Sequence, residues 1–191
     1  MKKHQLLTFI FLFYSFFSFS QVGTGVAVVY GKSTGGLFPS ILRNGFVMGA
    51  GSHSLKKSNS FGIRYFSDFN TKKRMGYEIG VNYLNAKVEF ESDADPNLDP
   101  EIGNYMLVST PIYLNHSFWK YFYFNYGLML DYQVYNKENS FGIGIGFGLG
   151  AKYDFNNYFI YINPKYEKHL FLNEELGLFE FGVMLGLGYK F

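Results

Sequence analysis

The sequence predicts an all-β protein, specifically an eight-stranded antiparallel up-and-down transmembrane β-barrel. Three observations carry that prediction: an export signal at the start, period-two alternation over long segments, and an aromatic, glycine-rich composition without cysteine. Among 191 residues there are 23 Phe, 17 Tyr and 22 Gly, against one Trp and five Pro. Such a composition suits many aromatic strands joined by short turns. The 17 basic and 15 acidic residues argue against a nucleic-acid binder, which carries a basic surplus. A hydrophobic fraction of 48%, interspersed with glycine and charge, excludes a disordered chain and a helical membrane bundle. The absence of cysteine excludes disulfide scaffolds, thiol catalysis and thiolate zinc sites.

The first element, residues 1–20, reads as a secretory signal peptide. Lys2 and Lys3 precede an uncharged, mostly apolar run from Leu6 to Phe19, and Ser18 and Ser20 place small side chains at −3 and −1 of a cut before Gln21. The run is too short to span a membrane as a helix. Removing the signal leaves basic and acidic residues equal in number. Residues 21–44 follow as a segment with three open readings: periplasmic, inserted in the lumen, or an extra strand through Val22–Tyr30. The barrel itself is expected over residues 45–191.

The clearest strand is Phe141–Phe155. Its odd positions, Phe141 to Phe155, are all apolar, and its even positions are Gly, Lys152 or Asp154. Phe179–Phe191 and Tyr121–Tyr135 repeat the alternation. Gly45–Leu55, Ser60–Phe69, Gly76–Phe90, Tyr105–Phe118 and Tyr158–Leu172 fit less cleanly. In Gly76–Phe90 the apolar phase moves from odd to even positions near Tyr83, as a bulge or emergence from the membrane would produce. Pro111 and Pro164 weaken two strand assignments locally. Each segment is long enough to cross a hydrocarbon layer at a tilt. A soluble sandwich would bury the greasy face and present a polar one to water, whereas here the second face is mostly glycine.

Connector lengths orient the barrel. Trp119-Lys120 and Asn156-Asn157 are tight turns for the periplasmic side, whereas Glu91–Asn104, Asn136–Ser140 and Asn173–Gly177 are longer and belong outside. Phe118, Trp119, Tyr121, Phe122, Tyr153, Phe155, Tyr158, Tyr189 and Phe191 then form an inner aromatic girdle. Lys72, Lys73 and Arg74 fall in a solvated periplasmic turn.

The signal ending Phe19-Ser20-Gln21, the eight amphipathic segments and the terminal Tyr189-Lys190-Phe191 resemble small outer-membrane β-barrel proteins, the OmpA/OmpX-like barrel domains of Bacteroidota type. The resemblance covers about residues 45–191 and is one of architecture. It implies an outer-membrane location and recognition of the last strand by the barrel-assembly machinery, and it carries no catalytic motif.

Gly25–Ser33 approaches a phosphate-binding loop but has five residues between its glycines where four are needed. The glycines of 142–150 open no helix, so a dinucleotide site fails as well. Asp93, Asp95, Asn97, Asp99 and Glu101 repeat oxygen donors at every second position of an outer loop and are candidate calcium ligands. Leu98 stands where the helix–loop–helix motif needs glycine, which favours a solvated acidic loop. His53-Ser54 and His116-Ser117 would suit a lipid A-modifying hydrolase or acyltransferase, except that neighbours in a strand face opposite sides. His169 and Glu167 share a face, with His53 as a potential neighbour, and read as polar packing in the lumen.

Inside the barrel, Arg64, Glu78, Asp131, Lys165, Glu167 and Glu180 point inward and are expected to pair, because isolated buried charges are costly. Gly142 to Gly150 leave space that Tyr121, Tyr123, Met129 and Tyr135 on one side, and Phe159, Tyr161, His169 and Phe171 on the other, are expected to fill. The sequence therefore predicts a non-enzymatic outer-membrane protein with a structural or surface-interaction role and a filled lumen. No cofactor is expected, and no metal beyond the calcium candidate. Its partners are outer-membrane lipid, lipopolysaccharide and the assembly machinery, with no nucleic acid. The alternatives are a lipid A-modifying enzyme and a small pore.

Overall fold

The computed structural model describes residues 23–39, 51–70, 74–92, 101–135, 138–172 and 176–191. The signal segment 1–20 and the acidic positions 93–99 lie outside the described residues, and Glu101 is described only as backbone. The chain forms eight strands: β1 (Gly25–Pro39), β2 (Gly51–Asn70), β3 (Met75–Ser92), β4 (Glu101–Ser117), β5 (Phe122–Tyr135), β6 (Glu138–Phe155), β7 (Tyr158–Phe171) and β8 (Leu176–Lys190). Each pairs antiparallel with the next, and β1 pairs with β8, closing the barrel. Closure leaves no edge strand, which is the condition for β-structure in lipid.

Two expectations about the first third of the chain are corrected. The barrel begins at Gly25, not at 45, so the third reading of residues 21–44 is the right one and supplies β1. Ser60–Phe69 and the described part of Gly45–Leu55 belong to one strand, β2. A register shift between Lys56 and Asn59 causes the apparent break. The bulge moves the inward face from Leu55 to the even positions Ser58, Ser60, Arg64 and Phe66, all buried. By contrast, β3 has no bulge at Tyr83, because Phe61↔Tyr83 and Ser60↔Leu84 pair in sequence. Its even positions from Gly76 to Val88 face inward without interruption. Outward apolar Ile79 and Val81 give way to inward apolar Leu84, Ala86 and Val88, while Asn85 and Lys87 turn outward and are exposed. That is emergence from an apolar layer.

Both prolines lie inside strands. Pairing of β3 with β4 runs to Ile79↔Ile112 and resumes at Asn82↔Ser109, with Pro111 in the gap. Pairing of β6 with β7 skips likewise from Gly148↔Lys165 to Ala151↔Ile162, around Pro164. A residue without N–H opens the ladder on one side only; Pro111 still faces Met129 and Pro164 faces Val183.

The outer wall carries exposed Val28, Ile63, Leu128, Ile143, Ile145, Leu149, Leu185 and Leu187, a continuous apolar belt. At the end with short connections, the rings of Tyr121, just before β5, and of Tyr153, Phe155, Tyr158 and Tyr189 on β6, β7 and β8 follow one another at centroid spacings of 5.6, 6.5, 6.0 and 5.4 Å. Phe118, Trp119 and Phe122 cluster at the same end. Amphipathic rings at this level mark a membrane–water interface. The β6–β7 turn is tight: Phe155 pairs with Tyr158, and Asn156 takes a φ of 55°, as a two-residue hairpin turn requires. The opposite end carries the two longest connections, residues 40–50 and 93–100. Only residues 136–137 separate β5 from β6, so the longer Asn136–Ser140 connection expected there is corrected: Glu138, Asn139 and Ser140 belong to β6, paired with Tyr135, Val134 and Gln133. There β2, with 20 residues, and β3, with 18, exceed the roughly 9–11 needed to span a bilayer.

Candidate functional site

The bore of the barrel concentrates the charged and polar side chains, and it is organised in three layers. At the short-turn end, Ala27, Val29, Phe66, Tyr123, Phe159, Tyr161 and Met184 form an apolar cluster. Phe66 meets Phe159 and Tyr161 edge-on at 5.6 and 5.4 Å. At the loop end, Leu55, Leu84, Ala86, Val88, Tyr105, Leu107, Phe171 and Leu178 form a second apolar cluster. Ionic groups occupy the level between them.

The large rings fit because glycines face them. A Cβ on Gly150 would lie 2.3 Å from the Tyr123 ring, one on Gly186 2.0 Å from Tyr161, and one on Gly188 2.2 Å from Phe159. Each of these glycines is the direct cross-strand partner of its aromatic residue. Small opposite large is how a narrow barrel fills its interior.

The six inward charges are all buried, and the structure brings them together with His169. Arg64 Nε lies 3.2 Å from Glu78 Oε1. Asn115 donates to the other oxygen of Glu78 at 3.3 Å. Lys165 donates to Glu167 Oε2, and the Tyr113 hydroxyl donates to Glu167 Oε1 at 2.7 Å. His169 places Nδ1 2.8 Å from Asp131 Oδ2 and Nε2 3.5 Å from Glu180 Oε1. Ser33 donates to Glu180 Oε2 at 2.6 Å. Buried charges without partners would cost several kcal/mol each, on the order of 3–5 kcal/mol for a broken pair.

Tyr113 is a group that sequence reasoning missed. It stands on β4, crosses the glycine partner Gly127 on β5 and reaches Gly146 on β6 before meeting Glu167 on β7. A search confined to the strands flanking β6 cannot find it. The signal was Gly127, which opens a gap in the inward row of β5. Of the expected bore-filling residues, Tyr123, Met129, Phe159, Tyr161, His169 and Phe171 are buried. Tyr121 instead joins the girdle against Tyr153, and the Tyr135 side chain lies outside the described positions. His116 is exposed on the outer wall and Ser117 faces the other way. The His53 side chain is outside the described positions.

An apolar girdled wall around an ion-paired, side-chain-packed interior defines a small transmembrane β-barrel. No protein-family model matches this sequence, and no curated protein matches it either. Solved structures do. OprG of Pseudomonas aeruginosa is 12% identical, with a TM-score of 0.52 over 92% of this chain and 99% of that one. AlkL, an outer membrane protein solved in lipid bilayers, is 13% identical, with a TM-score of 0.52 over 91% and 92%. Ail, the attachment invasion locus protein of Yersinia pestis, is 18% identical with a TM-score of 0.50, covering 90% of this chain and all of Ail. Ail was solved in complex with the heparin analogue sucrose octasulfate. The fold is therefore that of small outer-membrane β-barrels.

Proposed function

We propose that this protein is a non-enzymatic barrel of the outer membrane, closed to ions, that acts through the surface at its loop end. The packed, ion-paired bore carries this reading. Two apolar layers and a charged layer occupy the interior, and an eight-stranded barrel has room for little else. The belt and girdle supply the contact with outer-membrane lipid and lipopolysaccharide, and insertion falls to the barrel-assembly machinery.

The loop end is the surface that varies most from a bare membrane span. There β2 and β3 run on beyond the belt with exposed Lys56 and Lys87, and Lys56 pairs with Glu89 at 2.8 Å. A strand pair projecting into solvent offers a rigid platform for adhesion, the role suggested by the name of Ail. Against an enzyme, His169 is bonded to carboxylates and has no hydroxyl nucleophile beside it among the described residues.

Planar-bilayer recording with the purified, refolded protein tests the closed bore. The expected trace shows no stable conductance step, and reproducible single-channel steps refute the reading. Lipid A from overexpressing cells should keep its mass spectrum, since a lost or added acyl chain would assign an enzyme.

A further inference from the structure

We propose that Glu167, His169 and Glu180 form a divalent-metal site within the bore, with the donor set of a zinc centre. Glu167 and Glu180 are direct partners across β7 and β8. Two carboxylates facing the same interior from opposed positions repel, and the Lys165 ammonium bonded to Glu167 offsets one charge of the pair. His169 follows Glu167 by two residues and shares its face. One donor atom from each of the three lies within 4.8 Å of the others, and all three side chains are buried.

The imidazole supplies the second observation. Asp131 Oδ2 lies 2.8 Å from Nδ1, and a carboxylate there accepts, so Nδ1 carries the hydrogen. Nε2 is then a buried nitrogen without a hydrogen-bond partner, aimed at Glu180 Oε1 3.5 Å away. Metal-bound histidines are held in this way, the far N–H given to a carboxylate that fixes tautomer and orientation. Zinc bonds of about 2.0–2.1 Å imply tetrahedral ligand spacings of about 3.3–3.4 Å, close to the gap between Nε2 and Oε1.

With His169 neutral, as a metal ligand must be, Arg64 and Lys165 are two cations against the four carboxylates of Glu78, Asp131, Glu167 and Glu180 among the described buried residues. A divalent ion neutralises that difference. Lys165 and Tyr113 each engage one oxygen of Glu167, and Ser33 engages one oxygen of Glu180. Each carboxylate offers about four lone-pair positions, so coordination displaces none of these bonds. Apolar layers close the bore on both sides of the cluster, so the ion is taken up during folding and retained afterwards. This site is independent of the proposed surface role.

The test is refolding of the full chain with Zn²⁺, extensive EDTA washing of the folded barrel, and elemental analysis. One zinc per folded chain is expected, with an X-ray absorption spectrum fitted by one imidazole nitrogen and carboxylate oxygens at about 2.0–2.1 Å. His169→Gln and Glu180→Gln, scored as folded by their heat-dependent gel mobility, should retain less than a tenth of an equivalent. Replacing Asp93, Asp95 and Asp99 with Asn should leave the zinc in place. A folded wild-type chain without zinc overturns the proposal. So does undiminished zinc in either bore variant, or zinc lost from the loop variant. Should both bore variants fail to fold, the wild-type spectrum decides, and a shell without imidazole overturns the site.

Discussion

Substituting Gly146 with Ala while leaving or removing the Tyr113 hydroxyl probes how tightly the bore is packed. An added Cβ would sit 2.2 Å from Tyr113 Oη, 2.9 Å from its Cζ and 3.1 Å from Glu167 Cγ. The Tyr113 ring is also pinned by Gly127 behind it and by the 2.7 Å bond to Glu167. Relief therefore requires moving a buried ring, and Gly146→Ala should cost about 1–3 kcal/mol, as overpacking does. Tyr113→Phe keeps the ring but removes a hydrogen bond to a carboxylate, costing about 1.5–3 kcal/mol. If the two changes acted independently, the double variant would lose their sum. The shortest contact is to the atom that Tyr113→Phe deletes, so the double variant should be less unstable than that sum by about 0.5–3 kcal/mol. Urea titration of the refolded barrel in detergent, with the folded fraction read from unheated gels, gives all four stabilities. Additivity within about 0.3 kcal/mol would refute the claim that Tyr113 spans two strands to fill the space over Gly146.

Three further outcomes follow from the same geometry. Arg64→Met should destabilise by about 3–5 kcal/mol because Glu78 loses its facing cation, and Arg64→Met with Glu78→Gln should recover much of that loss in the same urea assay. Val28→Arg, on the belt between its cross-strand partners Ile63 and Leu187, should reduce stability in liposomes by up to about 2–4 kcal/mol, and an unchanged midpoint would move Val28 out of the lipid-facing zone. Lys56→Ala should change stability by no more than about 1 kcal/mol, since Lys56 itself is exposed to solvent, and a larger loss would place that strand pair in a buried contact.

The strands β5, β6 and β8 were legible in the sequence to within three residues, because most of their outward positions are apolar and most of their inward ones glycine or polar. By contrast, β7 alternates less cleanly, with Pro164 outward and Phe159 and Phe171 inward. Where a strand leaves the apolar layer, that contrast reverses or fades. Hence β3 looked broken at Tyr83 although it is continuous, and β1 was hidden because Lys32 and Thr34 hold outward positions. A bulge defeats alternation more directly, and the shift between Lys56 and Asn59 split β2 in two. In the bore, inward placement of Arg64, Glu78, Asp131, Lys165, Glu167 and Glu180 followed from parity alone. Their partners did not. Which charge meets which depends on the stagger between strands and on side-chain reach, and Tyr113 crossing from β4 to β7 has no counterpart in local sequence.

The seam between β1 and β8 pairs fifteen consecutive positions, from Gly25↔Lys190 to Pro39↔Leu176, without a shift in register. It joins the two strands farthest apart in the chain, so its loop-closure entropy is the largest in the fold. Until it forms, β1 and β8 each present a row of free amides and carbonyls, and each such group costs several kcal/mol in hydrocarbon. Eight strands joined through only seven pairings are therefore, in a bilayer, not a mostly finished barrel but a high-energy species. It is the meeting of the first and last strands that removes the penalty.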